Sequence, residues 1–192
     1  MRDRDIRQAL TGFLRDRYAQ DTDTLIVGEL GLCRGAARVD MAVVNGSLHG
    51  FEIKSERDTL ERLPGQAAIY GEALDNVTIV CSSKHLESVR AKVPDWWGII
   101  EAEPQGDGVA LRLRRPASNN PTVNVEAQSL LLWRDEALHL LQQFGLAHRL
   151  LSKPRAVLCR TLAERVPAED LAEAVRATIK ARAGWKSDSL RT

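Results

Sequence analysis

The 192-residue chain has almost no net charge, with 27 lysines and arginines against 26 acids, a formal +1 at neutral pH. Overall charge therefore cannot draw it to nucleic acid, and any such contact must come from local basic patches. It has three cysteines, Cys33, Cys81 and Cys159, odd in number and far apart. They form neither a paired zinc spacing nor a disulfide framework, which fits a reducing cytoplasm. No apolar run approaches the length needed to span a membrane. The opening Met1-Arg2-Asp3-Arg4-Asp5 leads into an amphipathic pattern, so no signal peptide is expected. There is no internal repeat and no low-complexity tract.

What the chain does have is a pair of short apolar runs around Asn45-Gly46-Ser47. The first is Arg38-Val39-Asp40-Met41-Ala42-Val43-Val44 and the second Leu48-His49-Gly50-Phe51-Glu52-Ile53-Lys54. Asn-Gly between two such runs signals a β-hairpin. Side chains alternate between sheet faces, so the apolar pattern decides the register. A three-residue loop sets Val44 opposite Leu48 and Asp40 opposite Glu52. It also groups Val39, Met41 and Val43 with Phe51 and Ile53 on one face, and puts Lys54 on the face of Glu52 and His49 on the other. Two carboxylates facing each other across a hairpin repel. A divalent cation is the natural compensation, since hard oxygen ligands suit Mg2+ or Mn2+. With Lys54 beside the acids, the constellation reads as a site for metal-assisted chemistry on a phosphate ester. The plainer reading is a solvated face of a half-exposed sheet.

The rest of the chain supplies a frame. Apolar residues at helical spacing (Ile6, Leu10, Phe13, Leu14, Tyr18) predict a helix from about Asp3 to Gln20. Thr24 to Leu30 reads as a strand. After the hairpin, Asp58 or Thr59 is a candidate cap for a helix running to Leu74, with Pro64 marking a kink or the first turn of a restarted helix. Asn76 to Ser82 reads as a buried strand, His85 to Lys92 as a helix, and Trp97 to Ala102 and Val109 to Arg114 as two further strands. Beyond the polar stretch Pro116 to Pro121, Ala127 to Phe144 reads as one apolar helix stopped by Gly145. Arg155 to Val166 and Asp170 to Arg182 read as two more helices. The expected fold is an α/β/α sandwich on a mixed sheet, with a core over residues 1–115, a linker over 116–126 and a helical subdomain over 127–192.

Helix, strand, Asp40, Glu52-Ile53-Lys54, helix and strand in this order resemble the core of the PD-(D/E)XK nuclease superfamily, across roughly residues 1 to 83. Gln66-Ala67-Ala68-Ile69-Tyr70 matches the Gln-x-x-x-Tyr motif that many of its nucleases, RecB-like ones among them, carry on the following helix. Val39 stands where the naming proline would be. The resemblance implies a restriction-endonuclease-like core in which Asp40, Glu52 and the Ile53 carbonyl hold Mg2+ or Mn2+, with Glu29 as an outer or second-metal ligand. Lys54 would orient or deprotonate the attacking water, and Gln66 and Tyr70 would position Lys54 or the substrate backbone. Arg34 and Arg38 lie nearer the acids in sequence than Arg112, Arg114 and Arg115 and are the better candidates for phosphate contact.

The implied activity is hydrolysis of DNA phosphodiesters by metal-activated water, in repair, defence or mobile-element DNA processing, with RNA as the other candidate substrate. The alternative is a catalytically silent nucleic-acid-binding or adaptor protein with the same fold. The apolar run Leu130 to Leu141 suits a homodimer face; burial against its own domain is the plainer reading. Arg112, Arg114 and Arg115 read as a solvated edge strand before a phosphate track, and Trp96 and Trp97 as packing residues before base-stacking ones.

Overall fold

The computed structural model describes residues 1–32, 35 and 37–182. Arg34, Cys33 and the tail with Trp185 and Leu190 lie outside the described residues. Six strands form a single sheet in chain order: β1 (Leu25–Leu32), β2 (Ala37–Val44), β3 (Leu48–Lys54), β4 (Asn76–Ser82), β5 (Gly98–Gln105) and β6 (Gly108–Arg115). β1, β2 and β3 are antiparallel neighbours, β3, β4 and β5 run parallel, and β6 turns back against β5. The parallel strands need crossovers, and α2 (Leu63–Ala73) and α3 (Leu86–Arg90) supply them. The result is an α/β sandwich with helices on both faces of a mixed sheet, extended by C-terminal helices.

One face belongs to α1 (Asp3–Arg17). Ile6, Leu10 and Leu14 lie on Met41, Val43, Phe51, Ile53, Val80, Ile100 and Ala102. The other face carries α2 and the C-terminal helices α4 (Val125–Ser129), α5 (Arg134–Gln143), α6 (Arg155–Arg165) and α7 (Ala168–Ala181) in one continuous core. Leu131, Leu132, Ala137, Leu140 and Leu141 are buried in that core, so the apolar run is spent on the chain's own packing. The segment between the sheet and these helices is pinned down: Asn120 donates to the carbonyls of Gly71 (2.6 Å) and Leu74 (2.8 Å) and is itself buried.

Two helices differ from the sequence-based expectation for local reasons. The single helix expected over Ala127 to Phe144 is two, α4 and α5, because Glu136 reaches back to the Trp133 N–H (2.6 Å) and starts a new helix there. The helix expected from Asp58 begins at Leu63 with Pro64 in its first turn. Asp58 instead accepts from Ser55 N (2.7 Å) and Oγ (2.6 Å), closing the loop that follows β3.

The hairpin register is as the apolar pattern requires, with Val44 opposite Leu48 and Met41 opposite Phe51. The ladder then stops: Asp40 and Glu52 are not bridged. The expected grouping of Val39 with Met41 and Val43 is wrong. Val39 packs with Ala42 and Val44 in the α2-side core, while Met41 and Val43 face α1. Val27 and Leu30, also three apart, share the α2 side on β1. Strict alternation forbids this spacing, so both strands turn over at one place. That place is Glu29, whose φ of 58° lies in the left-handed region, and the β1–β2 ladder skips the Glu29/Asp40 pair between Gly28↔Met41 and Leu30↔Val39. A non-glycine residue held there costs about 1–3 kcal/mol, and such strain clusters at functional sites. Its effect is to take Asp40 out of regular sheet.

His49 lies on the α1 face, stacked on Phe51 with centroids 4.3 Å apart and its Nε2 2.8 Å from Thr78 Oγ1. Burial, aided by the charge of Arg17, pushes its pKa down from 6.5 to about 4. The unfolded chain then binds the proton more tightly, so the stabilisation is complete above pH 6.5 and is lost as pH falls toward 4. It amounts to about 3 kcal/mol at most. His49→Phe is therefore expected to flatten the decline of urea-unfolding stability between pH 6.5 and 4. An equally steep decline in the variant would show that His49 is not the group responsible.

Candidate functional site

Glu52 is 3% exposed and Lys54 5% exposed, both on the α2 face of β3. A buried carboxylate without partners would be very costly. Glu52 has three. Lys54 Nζ donates to its Oε1 at 2.6 Å, Gln66 Nε2 to the same oxygen at 2.7 Å, and the Tyr70 hydroxyl to its Oε2 at 2.6 Å. Gln66 also accepts from Lys54 Nζ (3.1 Å) and donates to the Tyr70 oxygen (3.2 Å), so its amide knits the other three together. Burial, and then the Glu52 charge, push the Tyr70 pKa far up and keep the phenol protonated. Its oxygen is also 3.0 Å from the Arg38 carbonyl. Stacking on buried Trp97, centroids 6.0 Å apart, fixes its ring. Gln66 and Tyr70 are four apart on α2 and so lie on one helix face.

Asp40 approaches from β2, where the strand has left the ladder. Its Oδ2 accepts from Ile53 N at 2.8 Å and its Oδ1 from Arg7 Nη2 at 2.8 Å, while Arg7 Nη1 donates to the Asp40 carbonyl at 2.8 Å. Burial raises the pKa of Asp40, and the charge of Glu52 raises it further; the Ile53 and Arg7 contacts oppose the shift. Burial works against the Arg7 guanidinium, but Asp40 and Asp3 outweigh it and leave its pKa raised. The two acids thus sense each other, and each is tied into a different polar network.

The groups open on a cleft of about 920 Å³. Its lining includes Asp40, Glu52, Ile53, Lys54 and Gln66, together with Asp3, Arg7, Arg38, Asp58 and Arg62. The sequence-predicted set is therefore largely brought together. Tyr70 lies behind Glu52, and Arg38 stands at the rim. Glu29 is the exception. It does not line the cleft and pairs with Arg38 at 3.0 Å, both half-exposed or more. The turnover at Glu29 that frees Asp40 leaves the Glu29 side chain outside, so the expected extra ligand is not delivered. Sequence reasoning missed Arg7 and Asp3, which are four apart at the start of α1 and read as its solvent side; Trp97, read as packing before base stacking, is buried against Tyr70.

Among the described residues, no group of three or more His, Cys, Asp or Glu side chains comes together as a metal site. Asp40 and Glu52 are two carboxylates on one cleft. That number is what Mg2+ takes from a protein when waters and substrate phosphates complete its shell. The donor set fits a cation bound jointly with a phosphate, and does not fit a closed protein cage. The basic residues of β6 are committed elsewhere: Arg112 pairs with Glu103, Arg114 with Glu101, and Arg115 donates to the Trp97 carbonyl. Edge strand is their structural role.

The fold and cleft define an α/β sandwich with a buried Glu–Lys–Gln–Tyr network beside an aspartate held at a strand turnover. The whole chain, residues 1–192, matches the family model described as bacteriophage P4 protein cII, and the chain belongs to that family. It is 30% identical over 146 residues to "Protein cII" of Enterobacteria phage P4, an alignment covering 76% of this chain and 55% of that protein. The chain thus spans about half the length of the curated relative it matches. No solved structure matches.

The buried pair makes a direct energetic demand. Lys54→Met leaves Glu52 desolvated without its cation and is expected to cost about 3–5 kcal/mol in urea unfolding at pH 7. Adding Glu52→Gln should recover at least half of that loss, because the uncompensated charge is then gone. A single variant within about 1 kcal/mol of wild type would instead mark an ordinary solvated surface pair.

Proposed function

We propose that this protein is a metal-dependent nuclease that hydrolyses DNA phosphodiester bonds, built as a member of the PD-(D/E)XK superfamily with a Gln-x-x-x-Tyr helix. The observation that carries the reading is the convergence, on one cleft, of Asp40 freed from the sheet and Glu52-Ile53-Lys54 braced by Gln66 and Tyr70. The phage source of the relative is consistent with work on mobile-element DNA. No helix among the described residues is long and apolar enough to cross a membrane, and the few, scattered cysteines suit a cytoplasmic setting.

In this reading Asp40, Glu52 and the Ile53 carbonyl would hold Mg2+ or Mn2+. When bound, the cation supplies Lewis acidity, lowering the pKa of water and neutralising charge on the phosphoryl oxygens. Lys54 supplies a second positive charge beside Glu52. Its ammonium orients the nucleophilic water and offsets the charge that builds on the phosphate. Gln66 fixes Lys54 by accepting a hydrogen bond from its ammonium, and Tyr70 fixes Glu52 from behind. Arg38, at the rim, meets a backbone phosphate after leaving Glu29; an exposed ion pair of that kind holds it only weakly. The lining is acidic as well as basic, so a polyanion enters with its cation.

A second reading rests on its own observation. Every carboxylate oxygen of Asp40 and Glu52 already accepts a hydrogen bond within the protein. A catalytically silent nucleic-acid-binding or adaptor protein would keep such a self-satisfied site. The test is cleavage of labelled single-stranded, double-stranded and flapped DNA, with RNA alongside, in Mg2+ or Mn2+. The expected result is metal-dependent cutting, reduced at least about a hundredfold in Asp40→Asn and Lys54→Arg proteins shown to be folded. Binding without cutting, unaffected by either substitution, would favour the silent module.

A further inference from the structure

Arg7 sits where the cleft has its least expected cation. Its guanidinium comes from α1, bridges the Asp40 carbonyl and Oδ1 at 2.8 Å each, and reaches Asp3 Oδ1 at 3.5 Å. Its side chain is 22% exposed, on the wall of the cleft. Two nitrogens in a fixed plane meeting a main-chain and a side-chain oxygen of one residue is geometry that only arginine supplies. With Ile53 N on Oδ2, the strand segment that has left the ladder is held at both oxygens and at its carbonyl.

We propose that Arg7 is the resident counter-cation of the Asp40–Glu52 pair, a positioning residue that keeps Asp40 in place and competes with a divalent cation for Oδ1. The inference rests on the metal-dependent reading above. Two carboxylates on one cleft repel, and without a metal the charge must be balanced by something. Lys54 balances Glu52 and Arg7 balances Asp40. Cation binding then requires the Arg7–Oδ1 contact to lengthen, which leaves the guanidinium beside the cleft and available to a phosphate oxygen.

A merely structural Arg7 and a competing Arg7 have opposite signatures. The test is titration calorimetry of the full chain with Mn2+, for wild type, Arg7→Gln, Arg7→Lys and Asp40→Asn, each checked for folding by thermal melting. Arg7→Gln is expected to bind Mn2+ at least about tenfold more tightly than wild type, since one positive charge within contact distance has gone. Arg7→Lys, which keeps the charge, should stay closer to wild type, and Asp40→Asn should lose the site. Equal or weaker binding by Arg7→Gln overturns the inference and leaves the nuclease reading standing. Absence of Mn2+ uptake in every protein overturns both. Should Arg7→Gln fail to fold, the wild type still decides: the Arg7 Nε–H NMR signal is expected to shift on saturation with Mg2+. An unmoved signal with Mg2+ bound overturns the competition.

Discussion

Much of this structure follows from one constraint: a charged carboxylate, that of Glu52, lies inside the protein. It sits on a central strand, between an antiparallel and a parallel neighbour and under a helix, where water barely reaches it. Three side chains from two elements answer it: Lys54 from the same strand, and Gln66 and Tyr70 from α2. That requirement fixes how α2 lies on the sheet. It also explains why a buried phenol and a half-buried carboxamide stand in this helix, beside buried Leu63 and Ala73, and why Trp97 backs the Tyr70 ring. Replacing the set by aliphatic residues would fold at least as well on energetic grounds.

The second acid is handled differently. Asp40 reaches the cleft because β1 and β2 turn over together at Glu29, so that the residue after Val39 no longer obeys the alternation of the strand. The turnover interrupts the ladder, and the freed backbone and carboxylate are taken up by Arg7 and the Ile53 N–H. One acid is therefore held rigidly by core packing and the other by a polar clasp at the mouth. An exchangeable ligand is easier to accommodate at the clasp.

Most of the frame was legible in the sequence because its signals are local. Asn45-Gly46-Ser47 and the apolar residues beside it set the hairpin register, and Ile6, Leu10 and Leu14 set the face of α1. The Gln66–Tyr70 spacing placed both side chains toward Glu52. What escaped is non-local. A strand turnover at Glu29 cannot be read from alternation, because alternation is the rule it breaks. Arg7 is one of several arginines on a polar helix face, and only tertiary packing brings it to Asp40, 33 residues away. The break between α4 and α5 was missed because a capping contact from Glu136 outweighs a continuous apolar pattern. Membership of the P4 cII family, for its part, came from comparison over the whole chain and from no motif within it.

A crystal of the full chain soaked in Mn2+, with anomalous diffraction, would examine the two acids as a unit. The expected result is an anomalous peak in the cleft beside the Asp40 and Glu52 carboxylates and the Ile53 carbonyl, with Arg7 drawn away from Oδ1. Manganese bound only elsewhere, with Arg7 still on Asp40 and Lys54 still on Glu52, would contradict it and leave the cleft as a self-contained polar network.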